Sequence, residues 1–198
     1  MKIKICGNME KASVDAAVKA GATHVGFIMS ASFRRSVSFD EVVKMTADVP
    51  KAVKKVGVFV NAPIDFVKHA VSVAGLDMVQ LHGDEDMDYI HQLGNIPVIK
   101  ALSDFSKISD FENVSLLLDA PVGGSGKLAD FSSVKFGEIN LPYFIAGGLT
   151  PDNIAEAVKK YPNAYGFDVS SGVETDGKKD VVKIRDFIKN AHEAKNEK

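Results

Sequence analysis

Cysteine is nearly absent from this chain, since Cys6 is the single one among 198 residues. One thiol cannot form an internal disulfide, and it cannot supply a cysteine cluster that binds a metal ion. The sequence therefore excludes a fold held together by disulfides, and we expect a reducing compartment, the cytoplasm.

An excess of charge and long apolar runs are also lacking. The formal net charge is -2, which offers no basic surface to nucleic acid or to anionic membranes. No apolar run approaches the roughly 18 residues that span a bilayer, and the first residues, MKIKICG, lack the apolar region of a signal peptide. We therefore expect a cytoplasmic protein with no nucleic-acid or membrane partner.

Proline is sparse, with 7 residues, whereas apolar residues make up 45% of the chain and charged residues 25%. This balance is typical of a globular protein with enough apolar residues for a sizeable core. No linker or shift of composition divides the chain. We therefore predict a single domain over residues 1–198.

Short β-rich runs alternate with segments of helical periodicity. The eight strand candidates are 2–6, 23–28, 52–60, 78–82, 97–102, 114–119, 142–147 and 164–170. The clearest helix candidates are 9–21, 38–49, 63–75, 151–161 and 181–194, whereas the polar segment SDFSKISDFEN after the fifth strand is a doubtful helix. Such alternation indicates parallel βαβ units. Eight near-equal units favour one α/β domain, a (β/α)8 TIM barrel with a short or degenerate helix after strand five, over a doubly wound open sheet.

Polar and glycine residues gather at the carboxyl ends of these strands, where such a barrel has its active site. They are Cys6, Asn61, His82, Asp119, Gly147, Gly148, Asp168, Ser170, Ser171 and Gly172. This concentration is the first indication of function.

Lys4 and Cys6 share one face of the first strand, because side chains two residues apart project to the same side. Ile3 and Ile5 should face the helices, which places Lys4 and Cys6 inside the barrel. A neighbouring cation favours the reactive thiolate form of a thiol, whereas a small buried hydrophobic residue is the alternative role for a free cysteine. We expect Lys4 to pair with Asp168 on the adjacent eighth strand, since an unpaired buried charge is costly.

Asp119 ends VSLLLD, the most apolar strand, where a carboxylate needs a partner or a function. A residue that caps or fixes the following loop is the alternative. His82 could project inward from MVQLH together with Gln80, although such a histidine by itself is more typical of a hydrogen-bonded core residue than of a catalyst. The other histidines have no metal-ligand spacing, so we expect no metal site.

Two glycine-containing pairs after the last two strands, here termed the glycine pairs, indicate an anion site. Gly147 and Gly148 precede a helix, and Ser171 and Gly172 follow the eighth strand. Backbone N–H groups of such turns bind phosphate, and barrels often have a phosphate site after strands seven and eight. GSGKLA at 124–129 matches a dinucleotide fingerprint by letter only, because no acidic residue follows at the required distance.

Several motifs, taken in order, resemble those of the phosphoribosylanthranilate isomerases of tryptophan biosynthesis. They are KICG, FRRSVS, VGVFVN, VQLHG, LLLD with GGSGK, AGGLTPDN, and DVSSGVE with GKKD, and the resemblance runs from Lys4 to about Phe187. It implies a barrel that performs an Amadori rearrangement without cofactor or metal. The substrate would be N-(5′-phosphoribosyl)anthranilate and the product 1-(2-carboxyphenylamino)-1-deoxyribulose 5-phosphate, handled by a monomer or homodimer.

The resemblance also implies roles for individual residues. Cys6 would be the general base at C2 of the ring-opened Schiff base, and Asp119 the general acid at the furanose ring oxygen. Arg35 would meet the anthranilate, with the adjacent Arg34 as the alternative. The remaining assignments are His82 and Asp168 for substrate binding, and Gly147, Gly148, Ser171 and Gly172 for the phosphate.

Asn8 and Met9 stand where the family usually has an aliphatic residue and Thr, a departure that leaves the acid–base pair intact and leaves the shape of the first loop open. Three other functions compete with the isomerase. Indole-glycerol-phosphate synthase would need catalytic Lys and Glu on strands where this chain has runs of Gly, Val and Leu. A histidine-pathway isomerase of the same scaffold and chemistry uses two Asp residues, and Cys6 argues against it. A non-catalytic phosphosugar-binding barrel would keep the glycine pairs but would not need both Cys6 and Asp119.

Overall fold

Eight parallel strands close into a barrel in chain order in the computed structural model, which describes residues 1–119 and 130–197. The strands are β1 Lys2–Ile5, β2 His24–Ile28, β3 Lys54–Phe59, β4 Met78–Leu81, β5 Val98–Leu102, β6 Ser115–Leu118, β7 Tyr143–Ile145 and β8 Gly166–Val169. Each lies within a predicted strand segment. Because β1 pairs in parallel with β8 as well as with β2, the barrel is confirmed and the open sheet is excluded.

Six α-helices accompany the strands in the described residues. They are α1 Lys11–Ala20, α2 Phe39–Thr46, α3 Ile64–Ala74, α4 Met87–Leu93, α5 Ile154–Lys160 and α6 Val181–Asn196. The unit after β5 contains only a 3-10 turn, Phe105–Asp110, which confirms the degenerate helix expected there. A second 3-10 turn, Phe136–Glu138, precedes β7, and the glycine-rich motif at 124–129 lies outside the described residues.

Local sequence explains where several helices begin. The Ser38 hydroxyl accepts a hydrogen bond from the Glu41 amide, and the Glu41 carboxylate accepts one from the Ser38 amide, which forms a capping box at the start of α2. The Asp180 carboxylate accepts from the amides of Val182 and Lys183 at the start of α6. These caps fix the helices whose preceding loops form the mouth of the barrel.

Two apolar layers hold the barrel. The larger lies between strands and helices and contains Ile3 and Ile5, as the parity of the first strand predicts. The smaller fills the barrel interior and consists of Val56, Ile99, Ala101, Leu117, Phe144 and Ala146. Lys4 is fully buried on the other side of β1 from Ile3 and Ile5, so the prediction that its side chain points into the barrel is confirmed.

A small antiparallel hairpin follows β8 and was not predicted. A 3-10 turn, Ser171–Val173, leads into β9 Glu174–Thr175, which pairs with β10 Lys178–Lys179. The Arg34 side chain donates to the Gly177 carbonyl, so the hairpin contacts the loop after β2 at the mouth of the barrel.

Candidate active site

A cavity of about 190 Å³ opens at the carboxyl ends of the strands. It is lined by all nine residues that the sequence analysis assigns to the site: Cys6, Arg35, His82, Asp119, Gly147, Gly148, Asp168, Ser171 and Gly172. A larger groove of about 960 Å³, with many acidic side chains, adjoins it and shares His82 and Asp119. We place the site in the smaller cavity, because it alone of these two combines the thiol with the glycine pairs.

The floor of the site contains a buried ion pair. Lys4 Nζ lies 2.8 Å from Asp168 Oδ1, as predicted, and the two residues are register partners on β1 and β8. Burial alone would lower the pKa of Lys4, but the charge of Asp168 and the neighbouring Cys6 raise it above its ordinary value. Lys4 therefore remains a cation beside the thiol.

Gly26 on β2 gives the thiol and the ammonium group room to lie side by side. A Cβ atom at this position would lie 2.8 Å from Cys6 Sγ and 3.1 Å from Lys4 Nζ. The sequence analysis missed Gly26, although it falls on the inward face of HVGFI, where a glycine indicates a close approach.

His82 links Asp119 to the barrel interior. Its Nε2 atom lies 3.3 Å from Asp119 Oδ2, and its Nδ1 atom lies 2.9 Å from Gln80 Nε2. When the Gln80 amide donates to Nδ1, the ring proton is on Nε2, the atom that faces the carboxylate. Both Asp119 and His82 are partly exposed at the cavity, so each can reach a bound molecule.

Arg35, not Arg34, is the arginine that lines the cavity. Its Nη1 atom donates to Ser170 Oγ, and it lies 2.9 Å from Glu174 Oε1. The Arg34 side chain is 67% exposed and extends over the hairpin. Of the two arginines, Arg35 is therefore the one positioned to contact a molecule in this cavity.

The two glycine turns meet at the end of β7 and β8. Gly147 and Gly148 have φ angles of 83° and 67°, the left-handed region that favours glycine. A Cβ atom on Gly172 would lie 1.8 Å from the Leu149 carbonyl oxygen, so the loops after β7 and β8 pack backbone against backbone. Only glycine permits this approach at residue 172, which brings both turns to one end of the cavity.

Asn8 fixes the first loop from inside the protein. It is fully buried, and its side-chain amide donates to the carbonyls of Ile5 and Gly26 at 2.8 Å and 3.2 Å. The loop after β1 is therefore tied to Gly26 in the middle of β2, the residue that lies beside Cys6.

Two groups of charged residues near the site were missed by the sequence analysis. Glu174 and Lys179 form an almost fully buried pair, 2.8 Å apart, behind Arg35. Lys100 and Glu85 form another at 2.9 Å, and the Glu85 carboxylate also accepts from the amides of Asn61 and Gly83. Glu174 and Glu85 are glutamates, which are usually exposed, and their partners lie several residues away along the chain. No local sequence pattern therefore indicated that they are buried.

Within residues 1–119 and 130–197, no group of three or more His, Cys, Asp or Glu side chains is arranged to hold a metal ion. Over the same residues, none of the helices combines the length and the apolar character that crossing a membrane requires.

Comparison with known proteins gives a consistent result. A family model described as N-(5′-phosphoribosyl)anthranilate (PRA) isomerase matches residues 3–190. A protein from Streptococcus gordonii named N-(5′-phosphoribosyl)anthranilate isomerase is 44% identical over 193 residues, covering 94% of this chain and 95% of the relative. Its counterpart from Streptococcus mutans is 40% identical, with coverage of 94% and 96%.

Solved structures agree in fold. The phosphoribosyl anthranilate isomerase of Thermotoga maritima superposes with a TM-score of 0.90 at 32% identity, over 98% of this chain and 99% of that one. An isomerase in complex with reduced 1-(o-carboxyphenylamino)-1-deoxyribulose 5-phosphate gives 0.87 at 30% identity, with the same coverage. Monomers generated from the dimeric Thermotoga maritima enzyme superpose with a TM-score of 0.86 at 31% identity, over 98% of this chain and 99% of that one.

Proposed function

The chain belongs to the N-(5′-phosphoribosyl)anthranilate isomerase family, and we propose that Cys6 and Asp119 are the acid–base pair of its reaction. The reaction is the isomerisation of N-(5′-phosphoribosyl)anthranilate in tryptophan biosynthesis, an Amadori rearrangement. The product is 1-(2-carboxyphenylamino)-1-deoxyribulose 5-phosphate.

Each of the two residues carries out one proton transfer. Protonated Asp119 donates to the furanose ring oxygen while the bond from that oxygen to C1 breaks, which leaves a Schiff base between C1 and the anthranilate nitrogen. The Cys6 thiolate then removes the proton from C2 and gives an enolamine. The enolamine tautomerises to the ketone when C1 gains a proton and the C2 hydroxyl loses one. Positioned acid–base groups typically contribute about 10²–10⁴-fold each.

The barrel supports these roles by its geometry. β1 and β6 are separated by β7 and β8, so Cys6 and Asp119 approach the cavity from different strands. The Lys4 ammonium group lies beside the Cys6 thiol, and a neighbouring cation generally favours the thiolate form of a cysteine. Gly26 leaves the space in which the two groups meet.

Separate groups would hold the two ends of the substrate. We assign the anthranilate carboxylate to the Arg35 guanidinium, because its planar fork suits a carboxylate. We assign the phosphate to the turns at Gly147–Gly148 and Ser171–Gly172, and the sugar hydroxyls to His82 and Asp168. Both ends would then be fixed while the acid and the base act between them.

The observation that carries the proposal is the presence of Cys6 and Asp119 in one cavity with both glycine turns. The test is the fluorescence of the anthranilate-sugar substrate, which wild-type protein should abolish by turnover. Asp119→Asn should bind a product analogue within a few-fold of wild type but turn over about 10²–10⁴-fold more slowly. Persistent fluorescence with wild-type protein would instead indicate a binding barrel, and a parallel assay with the histidine-pathway aminoaldose would reveal that activity.

Three further expectations remain proposals. We propose one domain over residues 1–198, a cytoplasmic location, and a monomer or homodimer. The dimeric Thermotoga maritima relative makes a homodimer the first state to test, and sedimentation velocity distinguishes it from a monomer.

A further inference from the structure

We propose that Glu174 is a positioning residue that orients Arg35 toward the anthranilate carboxylate. This inference rests on the proposed role of Arg35. It adds a charged group from the hairpin after β8 to a site otherwise formed by the strand ends and the loops that directly follow the strands.

The Glu174 carboxylate is enclosed by cations. Oε1 lies 2.9 Å from Arg35 Nη1 and 2.8 Å from Lys179 Nζ, and Oε2 lies 3.5 Å from Arg34 Nη2. The Glu174 backbone carbonyl accepts from Lys183 Nζ at 2.8 Å. Burial would raise the pKa of Glu174, but Lys179 and Arg35 lower it below its ordinary range. The carboxylate is therefore held ionised at the junction of the β2 loop and the hairpin.

Within the described residues, the Arg35 guanidinium is held through one of its nitrogens, which leaves the other two free to bind a ligand. Both hydrogen bonds described for its guanidinium, to Ser170 and to Glu174, use Nη1. Its chain lies over Gly7, where a Cβ atom would be 3.3 Å from Arg35 Cδ. Nε and Nη2 thus have no hydrogen-bond partner among the described residues and can donate to a ligand carboxylate.

The charge of Glu174 is needed because it separates two cations. Lys179 is almost fully buried, and its pKa is lowered by burial and by Arg35, while Glu174 and Cys6 raise it. Without the carboxylate, Lys179 and Arg35 would repel each other, and the more exposed Arg35 would move. The phosphate turns depend on backbone geometry, so this displacement should affect the anthranilate end of the substrate and spare the phosphate end.

The experiment compares two ligands on the full chain. Reduced 1-(o-carboxyphenylamino)-1-deoxyribulose 5-phosphate carries both ends, whereas ribose 5-phosphate lacks the carboxyphenyl group. Glu174→Gln should raise KM and the Kd of the reduced analogue about tenfold or more, the loss of one charge-assisted contact. We expect kcat within a few-fold of wild type and the Kd of ribose 5-phosphate within about twofold. Glu174→Asp should restore part of the lost affinity and provides a second variant if Glu174→Gln folds poorly.

The matched control is Glu10→Gln, which removes an exposed carboxylate 3.6 Å from Lys178 on the same hairpin and should leave both ligands unaffected. Equal weakening of both ligands by Glu174→Gln, unchanged binding, or tighter binding of the reduced analogue would each overturn the proposal.

A double-mutant cycle with Arg35→Gln separates this inference from the function on which it rests. If Arg35→Gln leaves the affinity for the reduced analogue unchanged, the assignment of Arg35 to the anthranilate fails. If Arg35→Gln weakens the analogue but Glu174→Gln does not, only the positioning role fails. If Arg35 binds the anthranilate and Glu174 positions Arg35, Glu174→Gln should have no further effect on analogue binding in the Arg35→Gln background.

Discussion

At the end of β1, the thiol of Cys6 lies beside a buried ammonium group that has its own carboxylate partner. Lys4 is held by Asp168 at 2.8 Å and also interacts with Cys6, so its charge acts on both groups. A lone buried cysteine is usually a small hydrophobic residue. The adjacent cation and the cavity that Cys6 lines are the observations that support its proposed role as a base.

Replacing Cys6 tests its role as the base. Cys6→Ser should lose most activity, about 10²-fold or more, because a hydroxyl is far less readily deprotonated than a thiol. Cys6→Asp should retain more activity than Cys6→Ser, since a carboxylate of similar reach can accept the proton. Steady-state rates of both variants, with product-protected inactivation of wild type by iodoacetamide, provide the measurement. Full activity in Cys6→Ser would leave the thiol with a packing role only.

A methyl group added at Gly26 should disturb the contact between Cys6 and Lys4. Gly26→Ala would place a Cβ atom 2.8 Å from Cys6 Sγ and 3.2 Å from Cys6 Cα, so the end of β1 must shift. We expect a fall in kcat of about tenfold or more and about 1–3 kcal/mol less stability, as is typical of overpacking. The control is Gly137→Ala, where a Cβ atom meets nothing within 4 Å. Wild-type kinetics in Gly26→Ala would show that the thiol tolerates displacement.

At the scale of elements, the sequence predicts the strands and their parity better than the contacts between loops. Alternation in KIKIC correctly places Lys4 inward and Ile3 outward, because a strand has a period of two. The hairpin β9–β10 was missed, although Asp176–Gly177 is a typical two-residue turn and both have positive φ angles, 51° and 76°. The contact of Glu174 with Arg35 could not be predicted, because the barrel's closure brings together residues 139 positions apart.

The packing of the loops after β7 and β8 should determine phosphate affinity. Gly172→Ala would drive a Cβ atom to 1.8 Å from the Leu149 carbonyl oxygen, and backbone cannot yield as a side-chain tip can. The loops must separate, so we expect the Kd of ribose 5-phosphate to rise about tenfold or more. Isothermal titration measures it, with Gly137→Ala again as the control. An unchanged Kd would place the phosphate away from these loops.

At the scale of the whole molecule, the barrel interior carries charge as well as apolar side chains. Lys4 and Asp168 pair across β1 and β8, the seam that closes the barrel, and His24 is the register partner of Lys4 on the other side. His24 packs edge-on against Phe144, with ring centroids 5.4 Å apart. The pairing of β1 with β2 thus places an imidazole next to a cation that the β1–β8 seam holds in place.

The stability of the fold should therefore fall with acid, and His24 should account for part of the fall. Burial, and then the charges of Lys4, Lys2 and Lys54, lower the pKa of His24 from 6.5 to about 4, against a smaller opposing effect of Asp77. His24 becomes protonated below about pH 6.5 in the unfolded chain, but only near pH 4 in the folded protein. This contribution to the free energy of unfolding is therefore intact above pH 6.5 and is lost between these values, by about 2 kcal/mol from pH 7 to pH 5. Urea unfolding at both pH values should show a smaller difference for His24→Gln than for wild type, whereas the exposed His192→Gln should match wild type. Equal pH dependence in wild type and His24→Gln would mean that His24 titrates alike in the folded and unfolded states.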